Sequence, residues 1–251
     1  MKLYCIDHDG SPRHVMERDG QARLVEGDVF DAYELGADVP LDGAALLPPV
    51  RPSKIVAIGL NYRDHAAEMN KPLPSEPLMF MKPSTAVIGP GQPIRVPLWA
   101  GEIHHEAELA VVIGRRASHV KAGDAMGHVL GLACGNDVTA RALQKKDVQY
   151  TRAKGFDTFA PLGPCVALGL DPSNLKIEGA VNGQIRQASS TGELIFGVPQ
   201  LIEFVSRVMT LLPGDVILTG TPSGVGPLVP GDTVTVRIEG IGELTNRVTE
   251  A

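Results

Sequence analysis

The chain reads as a mixed α/β protein, rich in strands. Three observations predict that class. Short runs of apolar and β-branched residues recur between tight-turn dipeptides such as Asp9-Gly10, Asp19-Gly20 and Asn182-Gly183. The 251 residues include 28 glycines and 20 prolines, which suits many close connections between short strands. Helical composition is confined to a few stretches, at residues 61–69, 139–149 and 198–209.

In chain order, residues 1–50 predict a small β-rich N-terminal module built on the two Asp-Gly turns. Leu46-Leu47-Pro48-Pro49-Val50-Arg51-Pro52 reads as a stiff linker, and a second domain, 51–251, follows it. A strand opens that domain at Lys54-Ile55-Val56-Ala57-Ile58-Gly59-Leu60. The helical segment 61–69 is bounded by Pro72, Pro74 and Pro77. Leu109-Ala110-Val111-Val112-Ile113 is an unbroken apolar run of the kind that fills a strand buried on both faces, and Val129-Leu130-Gly131-Leu132-Ala133-Cys134 is a second apolar strand. Asn182-Gly183 joins strands at 175–181 and 184–188 in a hairpin. The helix at 198–209 stops near Pro213-Gly214, and a strand at 215–219 follows. The stretch 231–238 alternates with period two and turns at Glu239-Gly240. No internal repeat or low-complexity tract is present.

Composition narrows the function. Hydrophobic residues make up 43% of the chain and charged residues 21%, as in an ordinary globule. The net charge is −6 and no basic stripe is interleaved with aromatics, which argues against nucleic acid as a partner. No apolar run approaches the length of a membrane span, and the N-terminus turns polar too early for a signal peptide. Cys5, Cys134 and Cys165 are odd in number and widely spaced, which suggests neither a disulfide framework nor a CxxC metal site. A reduced, cytoplasmic compartment is the expectation.

The chemistry-bearing residues fall in separate places. Glu106 and Glu108 are two apart, so on a strand both side chains leave one face and repel each other unless a cation lies between them. Asp137, at the end of the next apolar strand, would complete an oxygen set for a hard divalent ion. The solvated face of an edge strand would also explain the Glu pair, although two acids are a costly start for a strand entering the core. Asp137 could instead cap the helix at 139–149, a task open equally to Asn136 and Thr139. His65 and Glu68 are three apart and would be neighbours on a helix, as an oriented base or as a surface ion pair.

Read together, one series stands in order: Gly59-Leu60-Asn61-Tyr62 with Asp64-His65-Ala66-Ala67-Glu68, Phe80-Met81-Lys82-Pro83, His105-Glu106-Ala107-Glu108-Leu109, Asn136-Asp137-Val138-Thr139-Ala140-Arg141, Lys154-Gly155-Phe156-Asp157 and Thr219-Gly220-Thr221-Pro222. Each motif is weak alone. Their order resembles the fumarylacetoacetate hydrolase (FAH) superfamily over about residues 51–251, with the first 50 residues least characteristic.

The resemblance implies an FAH-type β-sandwich roll around Mg²⁺ or Mn²⁺ held by Glu106, Glu108 and Asp137. It implies a catalytic His65–Glu68 dyad on a lid and a catalytic Lys154. It implies substrate contacts from Arg141, Gln144 and Thr221, and a homodimer. Read from residue type alone, Lys154 could be a surface lysine and Thr221 a turn residue. The implied substrate is a small 2-oxo dicarboxylic acid, cleaved by C–C hydrolysis of an acylpyruvate or decarboxylated as oxaloacetate. The alternative is isomerisation or decarboxylation of a hydroxy-diene dioate in aromatic catabolism. A reading of another class is a metal- and ligand-binding protein that has lost catalysis, for which an intact base beside the metal set would have no use.

Overall fold

The computed structural model describes residues 1–251. Its spine is a large twisted sheet whose main strand order is Tyr33–Asp38, Gln21–Gly27, Ser11–Arg18, Lys2–His8, Ala160–Ala167, Val129–Asn136, Ala107–Ile113, Val216–Leu218, Ile55–Gly59 and Leu78–Lys82. A second sheet runs Gln184–Ser190, Lys176–Val181, Thr233–Ile238, Gly242–Glu250 and Ile94–Val96. A small third sheet joins Thr139–Ala140, Ile103–His105 and Gly226–Leu228. No helix is long and apolar enough to cross a membrane.

The period-two geometry of strands explains how the core forms. In the fully buried strand Ala107–Ile113, Leu109, Val111 and Ile113 join one apolar cluster, while Ala110 and Val112 join another on the opposite face. The neighbouring strands split the same way: Val56, Ile58 and Ile217 face the first cluster, and Ile55, Ala57, Val216 and Leu218 the second. The first cluster is closed by the helix Val198–Val208, which buries Val198, Leu201, Ile202 and Val205 at the i, i+3, i+4, i+7 spacing of an amphipathic face.

The Asn182-Gly183 hairpin forms as the dipeptide predicts, with φ of 51° and 76° at its two central residues. Other expectations need correction. The segment expected to be a linker is pinned: Leu46–Leu47 pairs with Lys2–His8, and Val50 is buried. The N-terminal strands extend the large sheet through pairing of Lys2–His8 with Ala160–Ala167. The stretch read as one helix over 139–149 is a two-residue strand, a helix Arg141–Asp147, and a separate turn of helix Thr151–Lys154. Val148, at φ +61° and exposed, breaks it. Asp137 therefore caps nothing, because the helix starts after Ala140.

Candidate active site

The antiparallel pairing of Ala107–Ile113 with Val129–Asn136 brings the acids together. Ala107 lies opposite Asn136, so Glu106 and Asp137 meet just beyond the ladder. Two bonds fasten that junction. Asp137 N donates to Glu106 O at 2.9 Å, and Glu106 N donates to the Asn136 side-chain oxygen at 3.0 Å. Ligand atoms of Glu106, Glu108 and Asp137 lie within 4.8 Å of one another, and all three residues are buried. The solvated-face reading of the Glu pair is thereby overturned.

Three cations face the acids. Lys154 Nζ bridges Glu106 Oε2 at 3.0 Å and Asp137 Oδ2 at 2.5 Å, and lies over the Phe80 ring. Lys82 Nζ, from the strand Leu78–Lys82, donates to Asp137 Oδ1 at 2.5 Å and to Val138 O at 3.1 Å. Arg141 pairs with Glu106 and donates to Gln144 Oε1 at 2.8 Å. Lys154 is 2% exposed, so it is no surface lysine.

The charges divide unevenly. Burial would raise the Glu106 carboxyl, but Lys154 and Arg141 override it and hold Glu106 well below the usual carboxylate range. Glu108 has no cation against it. Burial, then the charges of Asp137 and Glu106, push it well above that range. Burial would lower the Lys154 ammonium, yet Asp137 and Glu106 hold it above its ordinary value. Burial prevails at Lys82, which is lowered despite Asp137.

This set fits a hard divalent ion. The donors are all carboxylate oxygens at mutual distances one ion can span. Glu108, which accepts only from Gly220 N at 2.8 Å, bears a repulsion that the nearby Lys154 charge offsets only in part and that such an ion would relieve.

The helix Arg63–Glu68 lies over the cavity. His65 Nδ1 meets Glu68 Oε2 at 2.9 Å, and Glu68 Oε1 accepts from Gly224 N at 3.1 Å. An ionised Glu68 can only accept, so Nδ1–H donates to it, and in the neutral ring the lone pair then lies on Nε2. The segment is tied down by Ser189 Oγ, which donates to Asp64 Oδ2 at 2.8 Å, and by Arg63, which donates to Leu194 O at 3.0 Å. His65 is 8% exposed while Glu68 stays exposed, so the pair sits at the rim of the cavity with its imidazole buried and its carboxylate reaching solvent.

All nine residues singled out from the sequence line one cavity of about 570 Å³: His65 and Glu68; Glu106, Glu108 and Asp137; Arg141, Gln144 and Lys154; and Thr221. Thr221 is more constrained than a turn residue. Its hydroxyl donates to Ala107 O at 2.8 Å and accepts from Gln187 Nε2 at 2.8 Å, so toward a ligand it can only accept. Lys71, His104, Lys145 and Tyr150 also line the cavity and were not singled out. Nor was Lys82 assigned a role, although a lysine closing the apolar run Leu78-Met79-Phe80-Met81 was a visible signal.

The family model for the fumarylacetoacetate (FAA) hydrolase C-terminal domain matches residues 54–249. An oxaloacetate tautomerase, FAHD2A of Bos taurus mitochondria, is 45% identical over 215 residues, covering 81% of this chain and 68% of that protein. The crystal structure of a 5-carboxymethyl-2-hydroxymuconate delta-isomerase from Mycobacterium smegmatis superimposes with a TM-score of 0.93 at 46% identity, with full coverage of both chains. A maleylpyruvate hydrolase from Sphingobium, solved with manganese(II) and pyruvate, superimposes with a TM-score of 0.83 at 30% identity, again with full coverage of both. The order of motifs, the three-carboxylate cavity and the whole-chain superpositions agree: this chain belongs to the fumarylacetoacetate hydrolase family.

Proposed function

We propose that this chain is a divalent-metal-dependent enzyme of enolisable 2-oxo dicarboxylic acids, and that its elementary step is proton transfer at the carbon beside the 2-oxo group. The observation that carries the reading is the sharing of one cavity by an imidazole held on a carboxylate, His65 on Glu68, and a buried three-carboxylate set. Glu106, Glu108 and Asp137 would hold Mg²⁺ or Mn²⁺. Bound there, such an ion supplies a Lewis acid and a fixed seat for two chelating oxygens of the substrate.

The chain's own residues do the rest. His65 Nε2 takes the proton, and Glu68 holds the ring and offsets the charge the ring gains. Lys154 and Arg141 lie where negative charge on the substrate carboxylate and on the developing enolate oxygen is stabilised. Thr221 Oγ1, an acceptor only, suits a substrate hydroxyl such as that of the enol. Gln144, held by Arg141, offers its amide N–H groups to a carboxylate or carbonyl oxygen.

Return of the proton to a different atom gives tautomerisation or isomerisation. This outcome is preferred because the tautomerase, over the 215 residues it aligns, and the delta-isomerase, over the whole chain, are 45% and 46% identical to this chain, against 30% for the hydrolase. C–C hydrolysis of an acylpyruvate is the second reading, favoured by the pyruvate-bound maleylpyruvate hydrolase. In it the same His65 takes its proton from water. Decarboxylation of oxaloacetate needs only the cation set and no activated water.

A panel of oxaloacetate, acylpyruvates and hydroxy-diene dioates, assayed with Mg²⁺ or Mn²⁺ and again after chelation, tests the proposal. Turnover of at least one 2-oxo dicarboxylate that chelation abolishes is the expected result. Metal binding without turnover of any would favour the non-catalytic binding protein.

A further inference from the structure

We infer that Gln187 is a positioning residue that fixes the substrate loop against the carboxylate strand. Gln187 lies on the strand Gln184–Ser190 and is fully buried. Its side chain makes four hydrogen bonds. Oε1 accepts from Ala107 N at 2.9 Å and from His105 Nδ1 at 3.0 Å. Nε2 donates to Thr221 Oγ1 at 2.8 Å and to Pro222 O at 2.9 Å. The amide cannot be reversed, because Ala107 N–H can only donate and Pro222 O can only accept.

The partners give these bonds their meaning. Ala107 is the backbone unit between Glu106 and Glu108, so the Oε1 side fixes the segment that aims both acids. Thr221 lines the same cavity and Pro222 follows it in the loop, so the Nε2 side fixes the Thr221 acceptor. Thr221 Oγ1 closes the circuit by donating to Ala107 O. The fold makes room for this amide: a Cβ at Gly179, the register partner of Gln187, would lie 2.8 Å from Gln187 Oε1 and 3.1 Å from Ala107 Cβ. Gln187 thereby joins the direct bonds from Thr221 Oγ1 to Ala107 O and from Gly220 N to Glu108 in setting the spacing between the acids and the substrate loop. Changing a group bonded directly to a metal ligand typically costs about 10- to 100-fold in metal affinity or activity, and Gln187 acts one bond further out, through Ala107 N, which sets its expected effect at the lower end.

The inference rests on the proposed reading for its kinetic arm and stands apart from it in its metal arm. Gln187→Met keeps the volume and removes all four bonds. It is expected to weaken Mg²⁺ binding by about tenfold in calorimetry and to raise KM for the best 2-oxo dicarboxylate by about tenfold. Thr221→Val is expected to raise KM and to weaken Mg²⁺ binding less than Gln187→Met does, since it removes the bond to Ala107 O and leaves Ala107 N–H on Gln187. In the double variant KM should exceed that of the worse single variant by less than about twofold, since Gln187 acts on substrate through Thr221.

Gln187→Glu, which keeps the acceptor for Ala107 and loses the amide donors, is the second variant should the methionine fail to fold. It is expected to raise KM while leaving Mg²⁺ affinity no weaker than wild type. KM effects of Gln187→Met and Thr221→Val that multiply, or wild-type KM and Mg²⁺ affinity in a folded Gln187 variant, would overturn the inference. Absence of turnover in the wild type would instead overturn the proposed function, and the calorimetry would still decide the role of Gln187.

Discussion

At the scale of single residues, the acids are the test of the metal reading. Glu106 is already neutralised by Lys154 and Arg141, whereas Glu108 is raised by burial and by its acidic neighbours. Alanine at Glu106, Glu108 or Asp137 should therefore weaken Mg²⁺ and Mn²⁺ binding by about tenfold or more in calorimetry, with a cooperative unfolding transition retained. Wild-type affinity in all three would remove the site. Much of this was legible in the sequence. Glu106 and Glu108 announce a shared face by their spacing of two, and His65 and Glu68 announce a pair by their spacing of three. Gln187 was not legible. Its partners lie 80, 82, 34 and 35 residues away, and an amide in a polar strand carries no local signal.

At the scale of elements, the short strand Val216–Leu218 shows how position is enforced. At its start Asp215, fully buried, accepts from Ser53 Oγ at 2.6 Å and from Leu212 N at 2.8 Å, and pairs with Lys54. Burial would raise that carboxyl, but the bonds to Lys54 and Ser53 hold it below its ordinary range. A carboxylate depressed in the folded state adds stability that is full above its unfolded pKa, about 4, and is lost as pH falls through the folded value. Asp215→Asn should cost about 3 kcal/mol at neutral pH and lose less on acidification than the wild type, measured by denaturant unfolding from pH 7 to 3. A parallel acid limb in both proteins would contradict this.

Just beyond the end of the same strand Gly220, at φ +102°, donates to Glu108, and a Cβ there would lie 2.8 Å from Asn61 Cβ. Gly220→Ala should lower stability by about 1–3 kcal/mol and weaken Mg²⁺ binding together, read by thermal melting and calorimetry. Wild-type values of both would refute it. Over 139–149 the composition stays helical while the backbone leaves the helix at Val148, φ +61°, which nothing in the local sequence announces.

At the scale of the whole molecule, the strand Ala107–Ile113 is packed by a separate apolar cluster on each face, and the chemistry lies where its ladder ends. The strand-rich class and the buried run at 109–113 were legible because both follow from local pattern. The joining of the N-terminal strands to the large sheet was not, because pairing of Lys2–His8 with Ala160–Ala167 spans most of the chain. We propose a homodimer, on the general frequency of two-fold oligomers and on exposed apolar side chains such as Trp99 and Leu98. Light scattering at micromolar concentration should give twice 26.6 kDa, and a species of 26.6 kDa alone would refute it.

The central claim is that His65 moves a proton beside the 2-oxo group. Its most direct test is exchange of the C3 protons of oxaloacetate with D₂O, followed by NMR at saturating Mg²⁺ and corrected for the rate without enzyme. The wild type should accelerate exchange, and His65→Ala should lose about a hundredfold to ten-thousandfold of that acceleration with Mg²⁺ affinity unchanged. Undiminished exchange in His65→Ala, or none above background in the wild type, would contradict the account.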